Sequence, residues 1–187
     1  MSFNIAFNER ILPDSNPPLY FSLLYFVRQI IPDDGVAVIA LNIGVIIAAA
    51  VAVYVPSQRL GLSGLAIAGI AAFVLSGPVL YFVPEGRSYL TALVIVFVTC
   101  WHVALAIISF PPQLTLIRAA ILGCLGALTH VYAALFCGSL AAGLLTLALL
   151  FRRKELLKPG LALGLSASIV FAIWFGFAHN AIHRIDR

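Results

Sequence analysis

Charge is what this sequence has least of. Lysine and arginine number 11 and aspartate and glutamate 7 in 187 residues, so that 10% of the chain is charged, against about 25% in an ordinary soluble domain. That scarcity, with 63% hydrophobic residues and a mean hydropathy of +1.09, excludes a water-soluble domain and marks an integral membrane protein. The net charge of +4 is scattered without a basic stripe, which gives no support for a nucleic-acid surface. Paired or metal-type cysteine spacing is missing too: Cys100, Cys124 and Cys137 lie inside apolar runs and read as small buried hydrophobes. Also absent are an internal repeat, a low-complexity segment and a signal peptide, since Asn4, Asn8, Glu9, Arg10, Asp14 and Asn16 interrupt the start of the chain. A polar start leading straight into a bundle suggests a missing segment ahead of it.

What is there is a series of apolar runs, most near the ~20 residues that a bilayer crossing needs. The reading is all-α: one polytopic membrane domain over 1–187, with a polar outer loop 1–18, a short interfacial or re-entrant helix 19–31 and a bundle 36–178 of about six crossings. Leu19 to Ile31 would extend about 20 Å as helix, short for a ~30 Å core, and starts at the Pro17-Pro18 pair. Val36 to Val55 is the first crossing, closed by Pro56-Ser57-Gln58-Arg59. Leu62 to Val83 is the second, with a kink at Gly77-Pro78. Leu90 to Phe110 is the third, ended by Pro111-Pro112. The proline-free run Leu114 to Leu150 would be about 55 Å long as one helix, nearly twice the hydrocarbon thickness, so it must break. Thr129-His130, the polar pair inside it, marks the turn. Pro159 to Ala178 makes the last crossing.

The loop from Phe151 to Lys158 is the most basic and is assigned to the cytoplasm. Counting sides from it puts Arg59 and Arg118 inside, and the N-terminal loop and Glu85-Arg87 outside. On the last helix a small residue recurs every fourth position, at Gly160, Gly164, Ser168, Ala172 and Gly176, which makes a flat face where a partner helix can approach closely.

The stretch that invites function is Pro84-Glu85-Gly86-Arg87-Ser88-Tyr89, a charged break between two apolar runs. Ionisable groups at membrane depth or its edge cost on the order of 2.5 to 3.5 kcal/mol each at a helix centre and default to a functional reading. An ordinary polar loop is the alternative.

Three stretches carry a family resemblance. Asp14-Ser15-Asn16-Pro17-Pro18-Leu19-Tyr20-Phe21 resembles the D-x-H-P-P-L-Y-Y opening of the membrane core in polyprenyl-phosphate-dependent glycosyltransferases of the C-type fold. These are the relatives of protein O-mannosyltransferases and of bacterial lipid A sugar transferases. Leu75 to Tyr89 is similar to that family's L-S-P-x-x-x-x-x-S-Q-E-A-R-M-Y segment, and Leu128-Thr129-His130-Val131-Tyr132 to its L-T-H-Y-F turn. Asn16 stands where the family has His, and Pro84 and Gly86 replace Gln and Ala. Family members also carry a further helix and an acidic outer loop ahead of this region and more helices after it, so the resemblance implies a core fragment or a truncated relative.

The resemblance implies transfer of a sugar from a polyprenyl-phosphate donor to a lipid, glycan or protein hydroxyl at the outer face of a bacterial inner membrane. Such chemistry needs a base near the acceptor, a cationic clamp on the phosphate and an apolar groove for the lipid. Asp14 and Glu85 are the candidate catalytic carboxylates; Asp14 alternatively caps the first helix, and Glu85 alternatively orients Arg87 or is a solvated loop acid. Arg87 is the candidate phosphate clamp, with pairing to Glu85 or reaching toward headgroups as alternatives. Asn16, Tyr20, Tyr89, Thr129, His130 and Tyr132 complete the candidate substrate-binding set; for the tyrosines an aromatic belt is the other reading, and for His130 a backbone carbonyl partner. His102 beside Trp101 reads as a packing contact. No cofactor is implied beyond the lipid-linked sugar, and a metal lacks support, because His179 and His183 have no third ligand nearby. Implied partners are membrane lipid and the polyprenyl-phosphate sugar. A second class of reading is a non-catalytic membrane subunit or remnant that binds a lipid carrier or partner helices; a transporter is a weaker third, for want of mid-membrane charges.

Overall fold

The computed structural model describes residues 17–108 and 116–185, with side chains at 17–108 and 117–177. These residues form helices and connecting turns. The helices are α1 (Leu19–Ile30), α2 (Asp34–Gln58), α3 (Ser63–Val74), α4 (Gly77–Phe82), α5 (Tyr89–Ile108), α6 (Leu116–Thr129), α7 (Val131–Leu150) and α8 (Leu157–Ile185), with a 3-10 turn at Lys154–Leu156 before the last. Among the described residues four helices are long and apolar enough to cross a membrane, within Asp34–Gln58, Tyr89–Ile108, Val131–Leu150 and Lys154–Phe177. Ser63–Val74 and Ile117–Thr129 are apolar but shorter.

The short helix α1 buries Tyr20 and Leu24, one turn apart, against Ala37, Val38 and Leu41 of α2. Its corner with α2 is held by an ion pair, Arg28 Nε to Asp34 Oδ1 at 2.9 Å, and by Asp33, whose carboxylate accepts the Val36 N–H at 2.9 Å as an N-cap. Helix α2 runs through Pro56 rather than stopping at it.

The second crossing expected over Leu62 to Val83 is two helices, not one kinked helix. Ser76 is extended (φ −69°, ψ 143°) and Pro78 stands in the first turn of α4, where a missing N–H costs nothing. Residues Leu75 and Ser76 therefore separate α3 from α4. The ring of Trp101 fills the space over Gly69, and Phe73 stacks on Phe97 at 4.3 Å, which seats α3 on α5.

Thr129-His130 is a turn, as the sequence suggests. His130 is extended (φ −164°, ψ 145°) and caps α7. The hairpin is antiparallel: Cys137 Sγ donates to the Leu122 carbonyl at 3.9 Å, and Gly126 lies against Ala133. Helix α8 then returns along α7, with Gly160 against Leu144 and Leu145 and Gly164 against Ala141. The face predicted to receive a partner helix thus receives α7 at those two glycines, while Ser168 and Ala172 remain exposed. Gly123 packs α6 onto the Leu163 carbonyl and Ser166 of α8.

Helix α5 is central, with α2, α4, α6 and α7 all packed on it. Exposed apolar residues recur every fourth position on the outer helices: Ile39, Ile43, Ile47, Val51 and Val55 on α2, and Leu161, Leu165, Ile169, Ile173 and Phe177 on α8. Such stripes are stable against lipid and costly against water.

Candidate functional site

The two ends of the bundle differ in chemistry. Arg153, in the loop after α7, donates through Nη1 to the Ile107 carbonyl at the end of α5 and through Nε to Glu155 at 2.7 Å. Pro56, His102 and Arg118 line one cavity, so the ends of α2 and α5, the start of α6 and the 151–158 loop share this basic end. The charged break, the His130 turn and the start of α2 share the other.

The break is anchored by a residue that the sequence reading did not single out. Asn42, fully buried in α2, donates through Nδ2 to the Val83 carbonyl at 2.8 Å and to the Glu85 carbonyl at 3.2 Å. Its Oδ1 is buried without a hydrogen-bond partner. Tyr20, also fully buried, donates its hydroxyl to the same Glu85 carbonyl at 3.4 Å. Burial pushes the Tyr20 phenol above its ordinary value, opposed by the hydrogen bond from the Asn42 side chain and the Arg28 charge. Tyr20 therefore holds the loop from beneath and does not face outward. The signal for Asn42 was a lone amide inside an apolar run, which is rare unless paired.

Above this clamp Ser88 is buried, Glu85 is half-buried and Arg87 is exposed. Among the described residues no ion pair joins Glu85 to Arg87, so the guanidinium is not spent on its neighbour. Tyr89 opens α5, and its ring lies 5.4 Å from that of His130 and 5.4 Å from that of Phe82. Tyr132, 72% exposed, stacks on His130 at 5.1 Å. Together with Phe136 these rings line a cleft of about 330 Å³ between α4, α5 and α7. Glu85 and Arg87 lie outside its lining, on the loop that enters α5 at Tyr89.

His130 Nδ1 accepts the Tyr132 N–H at 3.2 Å, which fixes the neutral tautomer with its proton on Nε2. Burial lowers the imidazole's pKa below its ordinary value, so the ring is a neutral donor at physiological pH. Thr129 is fully buried and donates to the Leu125 carbonyl at 2.6 Å, a bond that closes its own helix. It supports the turn and is turned away from the cleft.

The structure thus brings together Tyr20, Glu85, Arg87, Tyr89, His130 and Tyr132 at one end of the bundle. Asp14 and Asn16 lie outside the described residues, as do the side chains of His179 and His183. His102 is buried, with Nδ1 3.0 Å from the Val98 carbonyl, a contact within its own helix. Comparison with protein families, with curated proteins and with solved structures returned no match.

Proposed function

We propose that this chain is the core of a membrane glycosyltransferase that binds a polyprenyl-phosphate sugar at the break end and passes the sugar to a lipid, glycan or protein hydroxyl. The observation that supports this reading is the convergence of three stretches distant in sequence: Tyr20, the 83–89 break and the His130-Val131-Tyr132 turn. Arg87 clamps the phosphate, since a guanidinium meets two phosphate oxygens at once. The His130 Nε2–H supplies a neutral second donor, and Tyr89 and Tyr132 offer faces for the sugar ring. The acceptor hydroxyl forms the new bond to the anomeric carbon, the bond to the phosphate oxygen breaks, and the leaving group departs as the lipid phosphate dianion held by Arg87. The hydroxyl proton passes to a carboxylate. At the break end, among the described residues, Asp33 is used as a cap and Asp34 pairs with Arg28, which leaves Glu85 for that role, with Asp14 as the other candidate.

In this reading the α3–α4 pair and α6 complete six crossings, and the break faces the outside of a bacterial inner membrane. The test is binding of a radiolabelled polyprenyl-phosphate sugar to the purified protein, with Arg87→Ala beside it. Loss of at least tenfold in affinity at unchanged helicity is the expected result; unchanged affinity overturns the assignment. Binding without transfer to any hydroxyl acceptor selects the non-catalytic, carrier-holding reading instead.

A further inference from the structure

The turn that joins α7 to α8, at the end of the bundle opposite the break, carries Arg152, Arg153, Lys154 and Lys158. Arg153 serves the fold: it holds the Ile107 carbonyl and the Glu155 carboxylate, which pins the turn to the end of α5. Its neighbours on either side, Arg152 and Lys154, are exposed, as are Lys158 and, at the end of α2, Arg59. Among the described residues none of these four side chains has an ion pair or a hydrogen bond, and Glu155, the carboxylate of this end, is already engaged by Arg153.

Folding alone would favour other residues at three of these positions. Arg152 has φ 54°, the left-handed conformation in which a helix ends on glycine because a Cβ is strained there. Lys154 opens the 3-10 turn that runs directly into α8, and Lys158 stands in the first turn of α8, which holds no acid. Cations there oppose the helix dipole. Four positions apart in one continuous helical run, the two lysines lie on one side of it.

We propose that this end of the bundle binds the headgroup of an anionic glycerophospholipid, with Arg152, Lys154 and Lys158 around its phosphate and Arg59 adding to the positive field. Charge complementarity selects an anion, and the apolar neighbours select a lipid over a soluble one. Leu149, Leu150 and Phe151, all exposed, lead into Arg152, and the exposed stripe of α8 begins at Leu161, one turn after Lys158. The cations thus stand at the rim of the apolar surface, where headgroups are. The site is independent of the glycosyltransferase reading, since it uses other residues at the opposite end of the bundle.

The experiment is native mass spectrometry of the full chain released from detergent, with phosphatidylglycerol or phosphatidylcholine of matched chains added, beside melting midpoints in the same detergent. Phosphatidylglycerol retained in preference to phosphatidylcholine is expected. Lys154→Gln and Lys158→Gln should each weaken that retention about fivefold, as loss of one cation near a headgroup would. Arg152→Gly should weaken it without lowering the melting midpoint, and Lys158→Glu should abolish the preference while raising the midpoint, because an acid in the first turn suits the dipole. Circular dichroism verifies that the variants stay folded. Equal retention of the two lipids, or unchanged retention in a chain carrying Arg152→Gly, Lys154→Gln and Lys158→Gln together, overturns the proposal. A midpoint raised as much by inorganic phosphate as by phosphatidylglycerol also overturns it, by identifying a free anion as the ligand. So does a fall in midpoint, without lipid, that accounts for the lost retention, since the cations then serve the fold. Arg87→Ala should leave this lipid in place, which separates the two sites.

Discussion

Asn42 and Val83 are joined by a 2.8 Å hydrogen bond across 41 positions of sequence, from a side-chain amide in α2 to the backbone carbonyl that begins the charged break. A carbonyl left over where a helix ends needs a donor from elsewhere, and here the protein supplies it. One amide does this for two carbonyls, since Glu85 shares it. The loop that presents Arg87 is thereby tied to the most apolar part of the fold.

Replacing Asn42 with Ala should lower stability by about 1 to 3 kcal/mol, because it leaves the Val83 carbonyl without its donor and the Glu85 carbonyl with only the longer bond from Tyr20. Thermal unfolding in detergent checks this. If the amide positions Arg87, donor affinity in the folded fraction should fall as well. Tyr20→Phe removes only the longer bond and should cost less than about 1 kcal/mol.

Close helix contacts give a graded prediction. A Cβ at Gly123 would lie 2.5 Å from the Leu163 backbone carbonyl, whereas one at Gly126 would meet the Cys137 thiol at 2.7 Å and one at Gly138 would meet nothing. Backbone cannot step aside as a side chain can. Gly123→Ala should therefore destabilise by about 1 to 3 kcal/mol, Gly126→Ala by less, and Gly138→Ala should be neutral or stabilising by up to about 1 kcal/mol. Unfolding midpoints in one detergent rank the three.

Much of this architecture is legible in the sequence where a polar or proline signal interrupts a long apolar run. Thr129-His130 is such a place, and the hairpin turns there. Pro78 misleads because the same residue serves as a mid-helix kink or as a first-turn residue, and only the extended conformation of Ser76 decides between them. Asn42 carried a signal of its own, but its partners are backbone carbonyls, which every residue has, so no sequence pattern could point to Val83 and Glu85. The small-residue face on α8 was readable as a contact surface; that α7 meets it at Gly160 and Gly164 follows from the tight turn at Phe151 to Leu156, which returns the chain upon itself.

The His130 cap should make stability depend on pH. Burial lowers the folded-state pKa below that of the unfolded chain. As pH falls from neutrality through the unfolded value near 6.5, the unfolded state takes up the proton first, so stability declines until the folded-state pKa is passed. Protonation also removes the Nδ1 acceptor for the Tyr132 N–H. Melting midpoints between pH 8 and pH 5 should fall less steeply in His130→Asn, which keeps a cap without this titration, than in the wild type.

Tyr20 and Tyr132 share a chemistry but differ in exposure, at 0% and 72%, and that difference separates support from contact. A side chain that is largely exposed contributes little to folding and is free to meet a ligand, while a fully buried one contributes to folding and meets only protein. Tyr132→Ala should leave the melting midpoint within about 0.5 kcal/mol of wild type and weaken binding of the lipid-linked sugar several-fold. Tyr20→Phe should do the reverse, shifting the midpoint while the folded fraction binds the donor almost normally. If both variants lose stability in proportion to binding, the aromatic cleft beside His130 is a packing seam, and the rings that line it have no part in holding a sugar.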